Sequence, residues 1–234
     1  MQYLNIVRFA IATILGIFLI AGSYSEGRAQ SVRIEGKVVL AEQGSQSTIS
    51  LGGYQSTGGG GQTSRSDKTL NDLIIWLEKK DFQASSDIDQ QEIKVLDQVN
   101  KEFQPKLMPV RAGHQVRIKN SDPMYHNVFS LSSTKRFDVG RRSPEEYADV
   151  LFDQPGIVDV FCDIHSDMHA VIVVLPGETL RWKKMNGEGG FQFKELPKGH
   201  YTLKLYALGD RQETVHINAK AKENISLGTI RVGS

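Results

Sequence analysis

Along most of the chain, apolar side chains return at every second position. In "HQVRIKN" (114–120), Val116 and Ile118 point one way while Gln115, Arg117 and Lys119 point the other, the signature of a half-buried strand. "EIKVLDQ" (92–98) alternates in the same manner, and "RIEGKVVL" (33–40), "DLIIWLEK" (72–79) and "HNVFSLS" (126–132) also read as strands. "IVDVFC" (157–162) and "AVIVVLP" (170–176) carry consecutive β-branched residues, which predicts strands buried on both faces. Beyond Gly177 come "TLRWKK", "GFQFKEL", "HYTLKLYAL", "ETVHINA" and "ISLGTIRV", separated by turn signals at "NGEGG", "LPKG" and "LGDRQ". Helical periodicity is scarce. Its best candidate is "SPEEYADVL" (143–151), for which a turn followed by a strand is the alternative. Many short strands with few helices predict an all-β chain of the sandwich or barrel class.

The first 29 residues follow a different pattern. Arg8 precedes the apolar run Phe9 to Gly22, and Gly27 and Ala29 occupy the small-x-small positions of a cleavage site. Fourteen apolar residues suit a signal peptide better than a membrane span, which needs about 20. An uncleaved anchor is the alternative. Cleavage is expected to leave a periplasmic or secreted protein with no stable membrane span. It would remove Arg8, Arg28 and Glu26, leaving 205 residues with 26 basic and 26 acidic side chains. That balance argues against nucleic acid or an anionic membrane surface as a partner. The stretch "GGYQSTGGGGQTSRSD" (52–67) reads as a flexible loop. Gly53 and Gly58 have phosphate-loop spacing, but Gly59 and Gly60 stand where Lys and Ser/Thr are needed, so the nucleotide reading fails. Neither a Rossmann glycine signature nor a nucleophile elbow is present.

Export sharpens the meaning of Cys162, the single cysteine. In an oxidising compartment an unpaired thiol points to intermolecular pairing, reactivity or metal ligation, against the alternative of a small buried hydrophobe. Cys162 lies in "CDIHSDM", with His165 three residues on and Met168 three beyond. A tight loop between strands can aim all three inward. Thiolate and imidazole with a weak axial thioether are the donors of a blue-copper electron-transfer site. Zinc accepts Cys and His but its sites are not built with Met. A second imidazole is needed, and His126, at a strand start in "SDPMYHNVFSLS", is the best placed. His114 reads as exposed in a turn, and His200 and His216 lie far along the chain. His169 adjoins Met168 and should face the opposite way on an extended segment.

Together "SDPMYHNVFSLS" and "CDIHSDM" resemble the cupredoxins, and the Cys-x-x-His-x-x-Met spacing is similar to the amicyanin-type ligand loop. The longer stretch 103–130 is similar to plastocyanin-like proteins, and the resemblance spans roughly residues 92 to 175. It implies a Greek-key β-sandwich with one type 1 copper held by His126, Cys162, His165 and Met168. Asn127 would tie the two ligand loops together by hydrogen bonds, or serve as an ordinary strand-start residue. The implied activity is one-electron transfer between redox partners, not enzymatic turnover. Copper storage, delivery or sensing is the rival, and a metal-free structural sandwich is the third reading. Ser166 and Asp167 replace the Pro and apolar residue typical of the amicyanin loop, and Asp163 adjoins the cysteine. The rim is therefore expected to be polar and acidic and to suit a redox partner with a basic docking surface. "GGFQFKELPKGHYTLKLYA" (189–207) resembles carboxypeptidase-regulatory-like β modules, and "RIEGKVVL" is a candidate to complete that module. Trp182, Phe191, Phe193 and Tyr201 could form a binding face, though alternating aromatics are more often core. The expected organisation is a signal peptide (1–29), N-terminal strands with the glycine-rich loop (30–80), a cupredoxin domain (81–176) and a C-terminal β module (177–234).

Overall fold

The computed structural model describes residues 31–40, 70–82, 93–185, 187–209, 211–220 and 224–232. The candidate export segment 1–29 and the glycine-rich stretch 52–67 lie outside them. Within the described residues there is no α-helix, and sixteen strands form four sheets.

Two sheets draw strands from both ends of the chain. β1 (Val32–Leu40) and β2 (Leu73–Lys79) come from the N-terminal side. The remaining strands of this pair follow much later: β12 (Thr179–Lys184), β13 (Gly190–Leu196), β14 (His200–Ala207), β15 (Arg211–Asn218) and β16 (Asn224–Val232). They pair in the orders β13-β1-β16 and β12-β2-β14-β15, and a shared core closes between them around Ile34, Ile75, Leu77, Phe191, Phe193 and Leu203. The N-terminal strands and the C-terminal strands are thus hydrogen-bonded parts of one module.

Between β2 and β12 the chain makes a second sandwich. Its strands are β3 (Lys94–Val99), β4 (Glu102–Gln104), β5 (Leu107–Arg111), β6 (His114–Asn120), β7 (His126–Leu131), β8 (Arg136–Arg142), β9 (Tyr147–Phe152), β10 (Gly156–Cys162) and β11 (His169–Leu175). They form facing sheets β4-β3-β6-β9 and β5-β11-β10-β7-β8. Since β2 and β12 are antiparallel neighbours, with Thr179 opposite Glu78, this sandwich leaves and re-enters the module at adjacent points of one sheet.

The apolar runs follow from the way the sandwiches stack. On β11, Ala170, Ile172 and Val174 enter the core of the inserted sandwich, while Val171, Val173 and Leu175 face Ile74, Trp76 and Tyr206 of the other module. β2 does the reverse: Leu73, Ile75 and Leu77 face inward, and Ile74 and Trp76 meet the inserted sandwich. Each of these strands is apolar at successive positions because both faces are covered. The expectation of two buried faces holds for β11 but not for β10, where Val158, Val160 and Cys162 are buried and the intervening residues only half-buried. Arg111 Nη1 also donates to the Thr179 carbonyl at 2.7 Å, a polar tie across the junction.

Other differences have local causes. The candidate helix at 143–151 is a turn followed by β9: Glu145 takes a left-handed φ of 65°, and Ala148 pairs with Ile118 on β6. β5 escaped the sequence pattern because Pro109 interrupts it. As the edge strand of its sheet, β5 tolerates a residue that cannot donate to the ladder. Phe191, Phe193 and Tyr201 are buried core residues, not a binding face, while Trp182 is partly exposed beneath the Lys94 ammonium.

Ile74 tests the contact between the sandwiches, since it is fully buried there. Ile74→Ala is expected to lower unfolding free energy by about 2–5 kcal/mol in chemical denaturation. A loss below about 0.5 kcal/mol, the range of neutral surface changes, would show that the interface contributes little.

Candidate metal centre

The antiparallel pairing of β7 and β10 sets the site. Cys162 lies opposite Val128, so the first residue of β7, His126, falls beside the last residue of β10 on the same inward face. The link from β10 to β11 then turns back, with the Met168 amide donating to the His165 carbonyl at 3.1 Å. The result is a cluster of His126, Cys162 and His165. Cys162 Sγ lies 3.6 Å from His126 Nδ1 and 3.9 Å from His165 Nδ1, and the two Nδ1 atoms are 3.1 Å apart. Met168 is buried in the same core as Cys162.

These separations suit one ion. Metal–imidazole and metal–thiolate bonds of about 2.0–2.3 Å span a triangle of this size from a single central point. Two imidazoles and a thiolate, with a methionine buried in the same core as the cysteine, are the residue types of a type 1 copper donor set. The chemistry of the side chains and their spacing therefore fit copper. His126 and Cys162 are buried and His165 is partly exposed, so the cluster meets solvent through His165.

Hydrogen bonds hold the surroundings in place. Asn127 Nδ2 donates to Asp163 Oδ2 at 3.2 Å, and the Asp163 amide donates to the Asn127 carbonyl at 3.2 Å, so Asn127 links the segments that carry His126 and Cys162. Asn120, fully buried, donates from Nδ2 to the carbonyls of Met124 and Arg142 and accepts from the Asp122 amide. It shapes the "NSDP" turn leading to His126. Nothing in the sequence pattern singled out Asp122, whose Oδ2 lies 2.9 Å from His126 Nε2. Acid and histidine four residues apart in a turn carry little signal; their mutual burial emerges only once β6 and β7 are placed.

The remaining histidines lie away from the cluster. His169 faces outward, stacked on Phe161 with Nε2 2.8 Å from Asp159 Oδ1. His114 begins β6 and is partly buried instead of exposed, and His200 and His216 belong to the other module. The rim also departs from the expected polar, acidic surface. Asp163, Ser166 and Asp167 are exposed, but so are Tyr125 and Ile164, each directly preceding a histidine of the cluster. The rim is amphipathic.

Burial lowers the proton affinity of His126. Asp122 opposes that shift, and the nearby His165 reinforces it. For Asp122 burial pushes upward, yet the Lys101 and Asn100 amides and His126 outweigh it and hold the carboxyl below its ordinary range.

The segment from β3 to β11 is a two-sheet β-sandwich with the candidate donors gathered at one end, the arrangement that the sequence resemblance to cupredoxins implies. No protein-family model and no curated protein matches the chain. Solved structures resemble parts of it. The Cu-containing nitrite reductase of Thermus scotoductus SA-01 is 21% identical over 36% of this chain and 22% of its own length, with a TM-score of 0.35. A purple cupredoxin from Nitrosopumilus maritimus is 16% identical over 35% of this chain and 99% of its own, with a TM-score of 0.32. An oxidised amicyanin variant is 22% identical over 36% of this chain and 82% of its own, with a TM-score of 0.34.

The shifted groups set an acid limit for the metal-free protein. His126 has a folded proton affinity below its ordinary 6.5, so the unfolded chain binds that proton more readily. Stability is expected to decline as pH falls below 6.5, with a further loss from Asp122 below its ordinary 3.8. Thermal unfolding of the metal-free protein across pH values from about 7.5 to about 3 measures both. His126→Gln should flatten the first decline, and an unchanged slope would remove His126 as its source.

Proposed function

We propose that the protein is an extracytoplasmic type 1 copper protein that carries single electrons between larger redox partners. The observation that carries this reading is the convergence of His126 Nδ1, Cys162 Sγ and His165 Nδ1 within 3.9 Å of one another at the end of a β-sandwich. Two imidazoles from His126 and His165, the Cys162 thiolate and the Met168 thioether would hold the ion. Bound there, copper would supply reversible one-electron chemistry.

The chain's contribution is to keep those donors in place. His126 and Cys162 end paired strands, and Asn127 joins their segments, so the ligand frame resists rearrangement between oxidation states. Cys162 is buried in a core that also contains Met168 and Val128, which limits water at the thiolate. His165, the most exposed of the three clustered donors, offers an edge toward a partner, with Tyr125 and Ile164 as apolar contacts and Asp163 and Asp167 as charges. An apolar patch carrying acidic groups suits a partner with a basic rim: close packing permits electron transfer, and opposite charge speeds encounter. The placement outside the cytoplasm rests on the apolar run Phe9 to Gly22 and its cleavage signal. No helix of the described residues is long and apolar enough to cross a membrane.

Adding Cu(II) to the purified protein should give an intense blue colour with narrow copper hyperfine splitting, and Cys162→Ala or His126→Ala should abolish it. A colourless wild type would overturn the proposal. The carrier should also survive repeated oxidation and reduction without losing copper to a chelating acceptor; release on each cycle would instead indicate delivery. Electron transfer to a cationic redox protein should slow as ionic strength rises from about 0.01 to about 0.15 M. A salt-independent rate would remove the basic partner.

A further inference from the structure

Asp122 is bound more elaborately than a turn residue requires. It is 3% exposed, and three groups converge on its carboxylate. Oδ1 accepts the Asn100 amide at 2.5 Å, while Oδ2 accepts the Lys101 amide at 2.8 Å and lies 2.9 Å from His126 Nε2. Asn100 and Lys101 form the tip of the β3–β4 hairpin, and both adopt left-handed φ angles of 56° and 60°. The hairpin tip thus presents two consecutive amides to one carboxylate, fixing its second oxygen toward the imidazole. The donors come from two separate segments and meet at one buried acceptor.

That arrangement has a consequence for His126. A neutral imidazole carries one N–H, on one nitrogen or the other. A carboxylate already receiving two amide bonds can only accept, so the proton belongs on Nε2. Nδ1 is then left with its lone pair, and Nδ1 is the atom facing Cys162 and His165. A second effect is electrostatic. A fixed negative charge hydrogen-bonded to a ligand increases its donor strength and favours the more highly charged state of the bound ion.

We propose that Asp122 is a positioning residue for the metal centre, holding His126 with its Nδ1 lone pair turned into the cluster and biasing bound copper toward the oxidised state. The inference rests on the copper reading above, but its first half concerns the protein alone. Such outer partners of metal-bound histidines typically change metal affinity by about 10–100-fold when removed.

Two measurements test it. In the metal-free wild type, nitrogen-15 NMR of the His126 ring should report the Nε2–H tautomer; the Nδ1–H tautomer would overturn the proposal. In Asp122→Asn, an amide nitrogen at the Oδ2 position would confront two donors. The variant should bind Cu(II) about 10–100-fold more weakly, lose Cu(I) affinity less, and show a more positive reduction potential. Wild-type affinity and potential in that variant would overturn it. A general loss of stability would not by itself produce that selective shift between oxidation states. Should Asp122→Asn fail to fold, the wild-type tautomer decides. A wild type that takes no copper would defeat the proposed function, whereas the tautomer, read without metal, still reports whether Asp122 orients His126.

Discussion

The register of β7 against β10 is the constraint on which the centre depends. With Cys162 opposite Val128, the thiol and the His126 imidazole share one face at one end of the sheet. Side chains alternate along a strand, so a slip of one residue would carry either group to the opposite face. Buried Val128, Val158 and Val160 oppose such a slip, since exposing side chains of this kind costs about 1.5–3 kcal/mol each. The same packing that stabilises the sandwich therefore specifies donor geometry. His165 and Met168 then need only a short loop to reach the position already set by the strands.

The surrounding polar groups refine this arrangement. Burying a carboxylate beside an imidazole is unfavourable unless their hydrogen-bonding capacity is met. Asp122 meets that condition through the hairpin amides at Asn100 and Lys101, and Asn120 secures the intervening turn through Met124 and Arg142. On the other side, Asn127 and Asp163 connect the first histidine's segment to the cysteine's. The site is embedded in a bonded frame that joins the β3–β4 hairpin, the turn before β7 and the loop after β10.

The second module supplies support of another kind. Its sheet covers the outer face of β11 through Ile74, Trp76 and Tyr206, and none of these residues belongs to the loop that carries His165 and Met168. The inserted sandwich leaves from β2 and returns to the adjacent β12, and the packed apolar face holds it against the module. This explains why β2 and β11, far apart in sequence, both show uninterrupted apolar runs.

By itself the sequence determined the all-β character, most strand positions and the residue types of the centre. Those properties are local: period-two alternation marks half-buried strands, and Cys162, His165 and Met168 occur within one loop at informative spacing. His126 could be selected from its place at a strand start, but its approach to Cys162 required the β7–β10 register. Tertiary structure alone decided that the terminal strands share sheets, that Pro109 lies in an edge strand, and that 143–151 is a turn and strand. It also decided that Asp122 faces His126. Each depends on which segments become neighbours after the chain collapses, and burial and hydrogen bonding between distant residues leave no periodic mark in the sequence.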